Sequence, residues 1–249
     1  MGARTDGHRQ RMRYEDHSMK RVNCYGDDRI LTGCFHCGGE ADTVDHTPPK
    51  VLLDKPYPNE MIVVPSCYNC NNSASLDESW LACVVECVVT GEVEADRVSR
   101  PVVAKMLAHS PALAASMAEI RSIGEDGTTF RPDLERVRRI VTKIARAHAA
   151  YELHEHFENA PSSVEVFPLS LLSDEALQDF ESFGGGGFAS WPEVGSRAMQ
   201  RLLEGYPGNR PGWVVVQEGR YRYMAGVEDG NVVRMVLSEY LGCKVVWES

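Results

Sequence analysis

The sequence predicts an α+β protein, and three observations carry that prediction. Two Cys-x-x-Cys pairs, Cys34/Cys37 and Cys67/Cys70, bracket two short strand-like segments and open onto a helix-like run. Between residues 93 and 160 apolar side chains recur at helical spacing. Beyond Trp213, short β-rich runs are separated by Glu218-Gly219 and by Asp229-Gly230-Asn231, the punctuation of an antiparallel meander. The expected layout is a basic arm (1–33), a cysteine-stapled strand–strand–helix module (34–92), a helical region (93–160) and an α+β region (161–249) ending in an antiparallel sheet.

The arm carries Arg4, Arg9, Arg11, Arg13, Lys20 and Arg21 among few large apolar residues. Its composition favours an unstructured tail over a grip on phosphate. In the module, 41–46 reads as a strand stopped by Pro48-Pro49, because proline cannot continue a hydrogen-bonded ladder. Met61 to Val64 reads as its partner. A helix is expected from Ser75, where Glu78 three residues on completes a capping box. Its Trp80, Leu81, Val84, Val85 and Val88 fall on one face, and Cys83 and Cys87 fit buried small hydrophobes better than metal ligands.

Two further helices are expected over 96–108 and 111–123, and a long one over 131–157. The long helix has an apolar stripe of Val137, Ile140, Val141, Ile144, Ala147 and Tyr151. Its other faces carry Arg131, Arg136, Arg138, Arg139, Lys143 and Arg146 against Asp133 and Glu135, the best basic surface in the chain and the place for nucleic-acid backbone contacts, with a solvated face that binds nothing as the equal alternative. A strand through Val166, a helix capped by Ser173, a glycine tract at 184–187 and a helix over 194–204 precede the meander. In the meander, Arg220 and Arg222 alternate with Tyr221 and Tyr223. That pattern suits a half-buried strand with a solvated face more often than a platform for single strands.

The totals restrict function. At 249 residues, 43% hydrophobic and 25% charged, the chain has the composition of a globular protein with a substantial core. No apolar run is long enough to cross a bilayer, and the first residues lack the apolar core of a signal peptide. Eight cysteines, four of them in paired knuckles, suit a reducing compartment, so a cytoplasmic protein with no membrane partner is expected. The net charge of −10 argues against nucleic-acid binding by bulk electrostatics. Phosphate contacts would have to come from local patches or from a partner.

Each cysteine pair has the spacing at which a tight turn aims two thiolates at one ion. Four thiolates fill a tetrahedral Zn2+ site and leave no open position, so the zinc would be structural. Between the pairs lies Asp45-His46, followed by Pro48-Pro49. A neutral imidazole is the natural proton acceptor near pH 7. A core or capping role is the usual fate of a lone histidine, but the dipeptide's place inside a cysteine frame favours catalysis.

The stretch CFHC…DHTPPK…VPSCYNCNN resembles the HNH endonuclease family. It is similar in particular to bacterial zinc-knuckle HNH proteins in which DH(V/T)PPK precedes VPxCxxCN. The resemblance spans 34–78, about a fifth of the chain. It implies a ββα-metal module and metal-dependent hydrolysis of phosphodiester bonds in DNA, with RNA the other substrate to consider. It implies that His46 is the general base, that Asp45 ligates a catalytic Mg2+ or Mn2+, and that Asn71 is the second ligand; since asparagine ligates more weakly than histidine, Asn72 and Asp77 are the substitutes for Asn71 in that role. Cys34, Cys37, Cys67 and Cys70 would hold the zinc. The family's middle asparagine column falls on Glu60, and Asn59, one residue earlier, is the residue that would shape the loop around the base.

Two alternatives stand beside this reading. A non-catalytic zinc-ribbon adaptor that binds nucleic acid or protein suits the acidic charge. A nuclease subunit silent until a protein partner or signal activates it, as in bacterial antiviral defence, would give the helical and C-terminal regions a docking role.

Overall fold

The structure is a computed structural model that describes residues 20–22, 33–125, 127–182, 199, 203 and 212–248. The rest of the basic arm, the glycine tract and most of the helix expected over 194–204 lie outside the described residues.

Helix and sheet are mixed, as the α+β expectation requires. Strands β1 (Lys20–Val22), β2 (Thr43–Thr47) and β3 (Glu60–Ser66) form a small sheet in the order β1-β3-β2. β2 runs antiparallel to β3, with Asp45 opposite Val64 and His46 opposite Val63, and β1 lies parallel on the other side of β3. The helix α1 (Tyr68–Thr90) follows directly. It starts seven residues before the expected Ser75, because the Cys67 thiol accepts the Cys70 amide and so caps an earlier first turn. Gly91, at φ 73°, ends it in the left-handed conformation that glycine adopts without steric cost.

The next two helices are shorter than their patterns suggest. α2 spans Pro101–His109 rather than starting at Asp96, since proline is accommodated in a first turn but not in a helix interior. α3 (Pro111–Ile120) stops early because the chain turns into a hairpin that periodicity did not reveal, β4 (Arg121–Gly124) with β5 (Gly127–Phe130). α4 (Leu134–Leu153) begins after Pro132, and Asp133 caps it by accepting the Glu135 and Arg136 amides. The predicted apolar stripe of α4 is buried throughout.

The second sheet has the order β6-β10-β9-β8-β7 and is antiparallel throughout. Its strands are β6 (Ser163–Pro168), β7 (Val214–Gln217), β8 (Tyr221–Val227), β9 (Asn231–Leu237) and β10 (Leu241–Trp247), and α5 (Asp174–Glu181) starts at the expected Ser173 cap. The meander is as predicted, and β6 is added against β10. Where they pair, the Phe167 ring lies over Gly242 so closely that a Cβ there would meet it at 2.5 Å.

The expectation of a solvated face on β8 is wrong. Tyr221, Arg222, Tyr223 and Met224 are all buried. On one side the Tyr223 ring stacks on His148 of α4 at 3.7 Å between centroids, and the Tyr223 hydroxyl donates to Glu152 at 2.5 Å. On the other, Arg222 forms a bidentate pair with Glu181 of α5 and lies 4.2 Å over the Trp213 ring. Covered on both faces, these side chains form no platform for single-stranded nucleic acid. α4 is the element between the two sheets, touching α1, β2 and β3 on one side and β6, β8, β9 and β10 on the other.

Candidate functional site

The first cysteine pair sits in a loop that folds back on itself. The Cys34 amide donates to the Gly39 carbonyl at 2.5 Å and the Gly38 amide to the Cys34 carbonyl at 2.8 Å. Gly38 closes the turn at φ 72°. The second pair occupies the start of α1, where the free amides and the helix dipole favour negative charge. All four sulfurs lie within 4.8 Å of one another, and the Cys37 and Cys67 sulfurs are 3.9 Å apart. Tetrahedral zinc with bonds near 2.3 Å would set its sulfurs about 3.8 Å apart, so the donor set fits that ion.

The thiols of the cluster also act on one another. Burial raises the Cys34 thiol, but the Cys67, His36 and Cys37 amides outweigh it and bring it to about 6. Burial and the neighbouring thiols push Cys70 the other way. A bound dication supplies the charge that lets all four ionise together. Cys83 and Cys87 lie buried elsewhere in α1, and burial pushes both thiols up to about 12, which suits core residues rather than ligands.

The central dipeptide is divided by the pleat of β2. Asp45 faces inward and is buried, whereas His46 takes the opposite face and is half-buried. The Asp45 carboxylate lies 2.9 Å from His36 Nε2 and 2.5 Å from Lys143 Nζ, and the same ammonium binds Glu78 of α1. Burial raises the Asp45 carboxyl, but His36 and Lys143 outweigh it and hold it below the ordinary aspartate range. Burial likewise lowers Lys143, and Asp45 and Glu78 more than restore it. Glu78 is raised, because its desolvation exceeds what Lys143 returns.

Asn71 lies in the first turn of α1, where its amide nitrogen donates to the Val44 carbonyl at 3.0 Å and to Thr43 Oγ1 at 3.4 Å. It ties the helix start to β2. Asn59 is exposed in the turn before β3. The Asp45 carboxylate is held by an ammonium and an imidazole, and the Asn71 amide nitrogen is spent on β2, which leaves its carbonyl oxygen as the atom that would face an ion. Among the described residues, the cysteine cluster is the one group of three or more cysteine, histidine or acidic side chains spaced to hold an ion.

Two members of the Asp45 cluster were not anticipated there. His36 lies between the knuckle cysteines, a position that gave no reason to link it with Asp45. Lys143 belongs by its sequence to a basic surface, and only the docking of α4 carries it to β2. Both line a cleft of about 770 Å³ between α1 and α4, together with Asp77, Glu78, Arg138, Arg139 and Arg146. Arg136 turns away from it, pairing with Asp77 at 2.6 Å and lying 4.3 Å over the Trp80 ring. No helix among the described residues is long and apolar enough to cross a membrane. Comparison with known proteins returned no family model, no curated protein and no solved structure that matches this chain.

Proposed function

We propose that this protein is a zinc-stapled hydrolase of phosphodiester bonds in nucleic acid, of the HNH type. The observation that carries the reading is the connection of the central module. A strand bearing Asp45-His46 pairs antiparallel with β3, α1 follows at once, and the cysteine cluster joins the strands to the helix. His46 is the base in this reading: its neutral imidazole takes a proton from the attacking water near pH 7. The zinc fixes hairpin to helix and takes no part in the chemistry. Asp45 and Asn71 would hold the Mg2+ or Mn2+ of this reading, which would supply charge neutralisation at the phosphate, and Asp45 would have to exchange its Lys143 and His36 contacts to do so. DNA is the expected substrate, and RNA is tested beside it.

A second reading, a non-catalytic zinc adaptor for nucleic acid or protein, is favoured by the same fact. The Asp45 charge is already satisfied by Lys143 and His36. One experiment separates the two. Plasmid DNA and a structured RNA are incubated with wild type and with His46→Ala at matched zinc content, with and without Mg2+ or Mn2+. The hydrolase reading expects cleavage by the wild type and a loss of about a hundredfold or more in the variant. Equal cleavage by both removes His46 as the base. Nucleic-acid binding with no cleavage by either protein leaves the adaptor.

A further inference from the structure

The cleft between α1 and α4 takes up part of the basic surface that the sequence of α4 displays, and the fold pairs off all but two of its cations. Each of its acids is already engaged: Asp77 by Arg136, Glu78 by Lys143 and Glu135 by Arg138. Beneath them Asp45 is bound by Lys143 and His36. Two cations are left over. Arg139 is exposed and has no hydrogen-bond or ion-pair partner among the described residues. Arg146 gives one terminal nitrogen to the Asn159 carbonyl at 3.0 Å, while its Nε is buried with no acceptor. Seven residues apart, they lie on one face of α4, about 10 Å apart along its axis.

A guanidinium that has lost water without gaining an acceptor is destabilising, and an anionic oxygen in the cleft would supply that acceptor. The volume exceeds the needs of a single inorganic anion and falls in the range of small-molecule sites. Ala74, Ile140 and Val164 give the wall apolar surface that an acidic peptide would not use but the face of a base would.

We propose that this cleft is a binding site for nucleotide phosphate, held by Arg139 and Arg146. The ligand chemistry is a phosphate ester carrying a base, whether a mononucleotide or a segment of single strand. The site does not depend on His46 being a catalytic base, which sits on the other face of β2.

The test is fluorescence anisotropy with a fluorescein-labelled single-stranded oligonucleotide, using the full chain with zinc bound. Unlabelled oligonucleotide, adenosine monophosphate and a glutamate-rich peptide serve as competitors. The wild type is expected to bind, and Arg139→Glu to bind at least about tenfold more weakly. Arg131→Glu, the same charge change outside the cleft, is expected to change binding far less. Arg146→Met adds a second readout: weaker binding with thermal stability kept or raised. If that variant misfolds, Arg139→Glu decides alone. Displacement by adenosine monophosphate identifies a mononucleotide site, and displacement only by unlabelled oligonucleotide identifies a chain groove.

The proposal is overturned if no phosphate ligand binds, or if Arg139→Glu binds like the wild type. It is equally overturned if Arg131→Glu loses as much, or if the acidic peptide competes as well as the nucleotides. A His46→Ala protein that binds but does not cleave separates this site from the hydrolase reading. An Arg139→Glu protein that cleaves and binds like the wild type overturns this site and leaves the hydrolase reading standing.

Discussion

Arg100 is almost fully buried, and its guanidinium donates to the Val51 and Leu53 carbonyls and, through Nε at 2.9 Å, to Asp54. Asp54 also binds Arg220 from the turn between β7 and β8, so one carboxylate joins the loop after β2 to α2 and to the second sheet. Gln217 doubles the link, accepting from the Asp54 amide at 2.7 Å and donating to its carbonyl at 2.9 Å. Burial raises the Asp54 carboxyl, but Arg100 and then Arg220 outweigh it and place it below its ordinary 3.8. A depressed carboxyl stabilises the fold fully above its unfolded pKa and loses that contribution as pH falls through the folded one. Asp54→Asn is therefore expected to cost about 2 kcal/mol at neutral pH. The gap to wild type should close as pH drops below about 4, as read by urea denaturation across that range. Nothing in the sequence singled out Asp54, because its partners lie far along the chain.

The stapled hairpin and the start of α1 owe their geometry to the four cysteines more than to a core. Asp42 and Asn71 add hydrogen bonds between the strand and the helix, but the first turns of α1 are largely exposed. Cys70→Ser or a strong chelator should remove about one zinc per chain. Amide exchange should then quicken across β2, β3 and the first turns of α1, while β8 to β10 keep their protection. Uniform loss across both sheets would show that the cluster governs the whole fold. The element boundaries that sequence misplaced share one cause. Ser75, Asp96 and Arg131 stand in helix-like patterns, yet a thiol cap at Cys67 and the prolines at 101 and 132 decide where the backbone enters each helix.

At the scale of the molecule, α4 joins the parts. The main buried cluster takes Met61 and Leu81 from the cysteine module, Val141 and Ile144 from α4, and Val233 and Met235 from the second sheet. Ile144→Ala should cost about 3 kcal/mol by opening a cavity at that junction. Hydrogen exchange would check how the loss is shared, with protection expected to fall by similar amounts in β3 and β9. The sequence by itself determined the cysteine cluster, the β2–β3 hairpin, the apolar stripe of α4 and the meander. Each depends on residue spacing within a short stretch, where turn chemistry and periodicity act directly. Only the tertiary structure decided what Asp45 touches, that Tyr221 and Tyr223 are core residues, and that Arg139 and Arg146 are left without acids. These depend on which surfaces of α4 meet β2, α1 and β8. Such contacts follow from packing between residues distant in the chain, and local spacing carries no record of them.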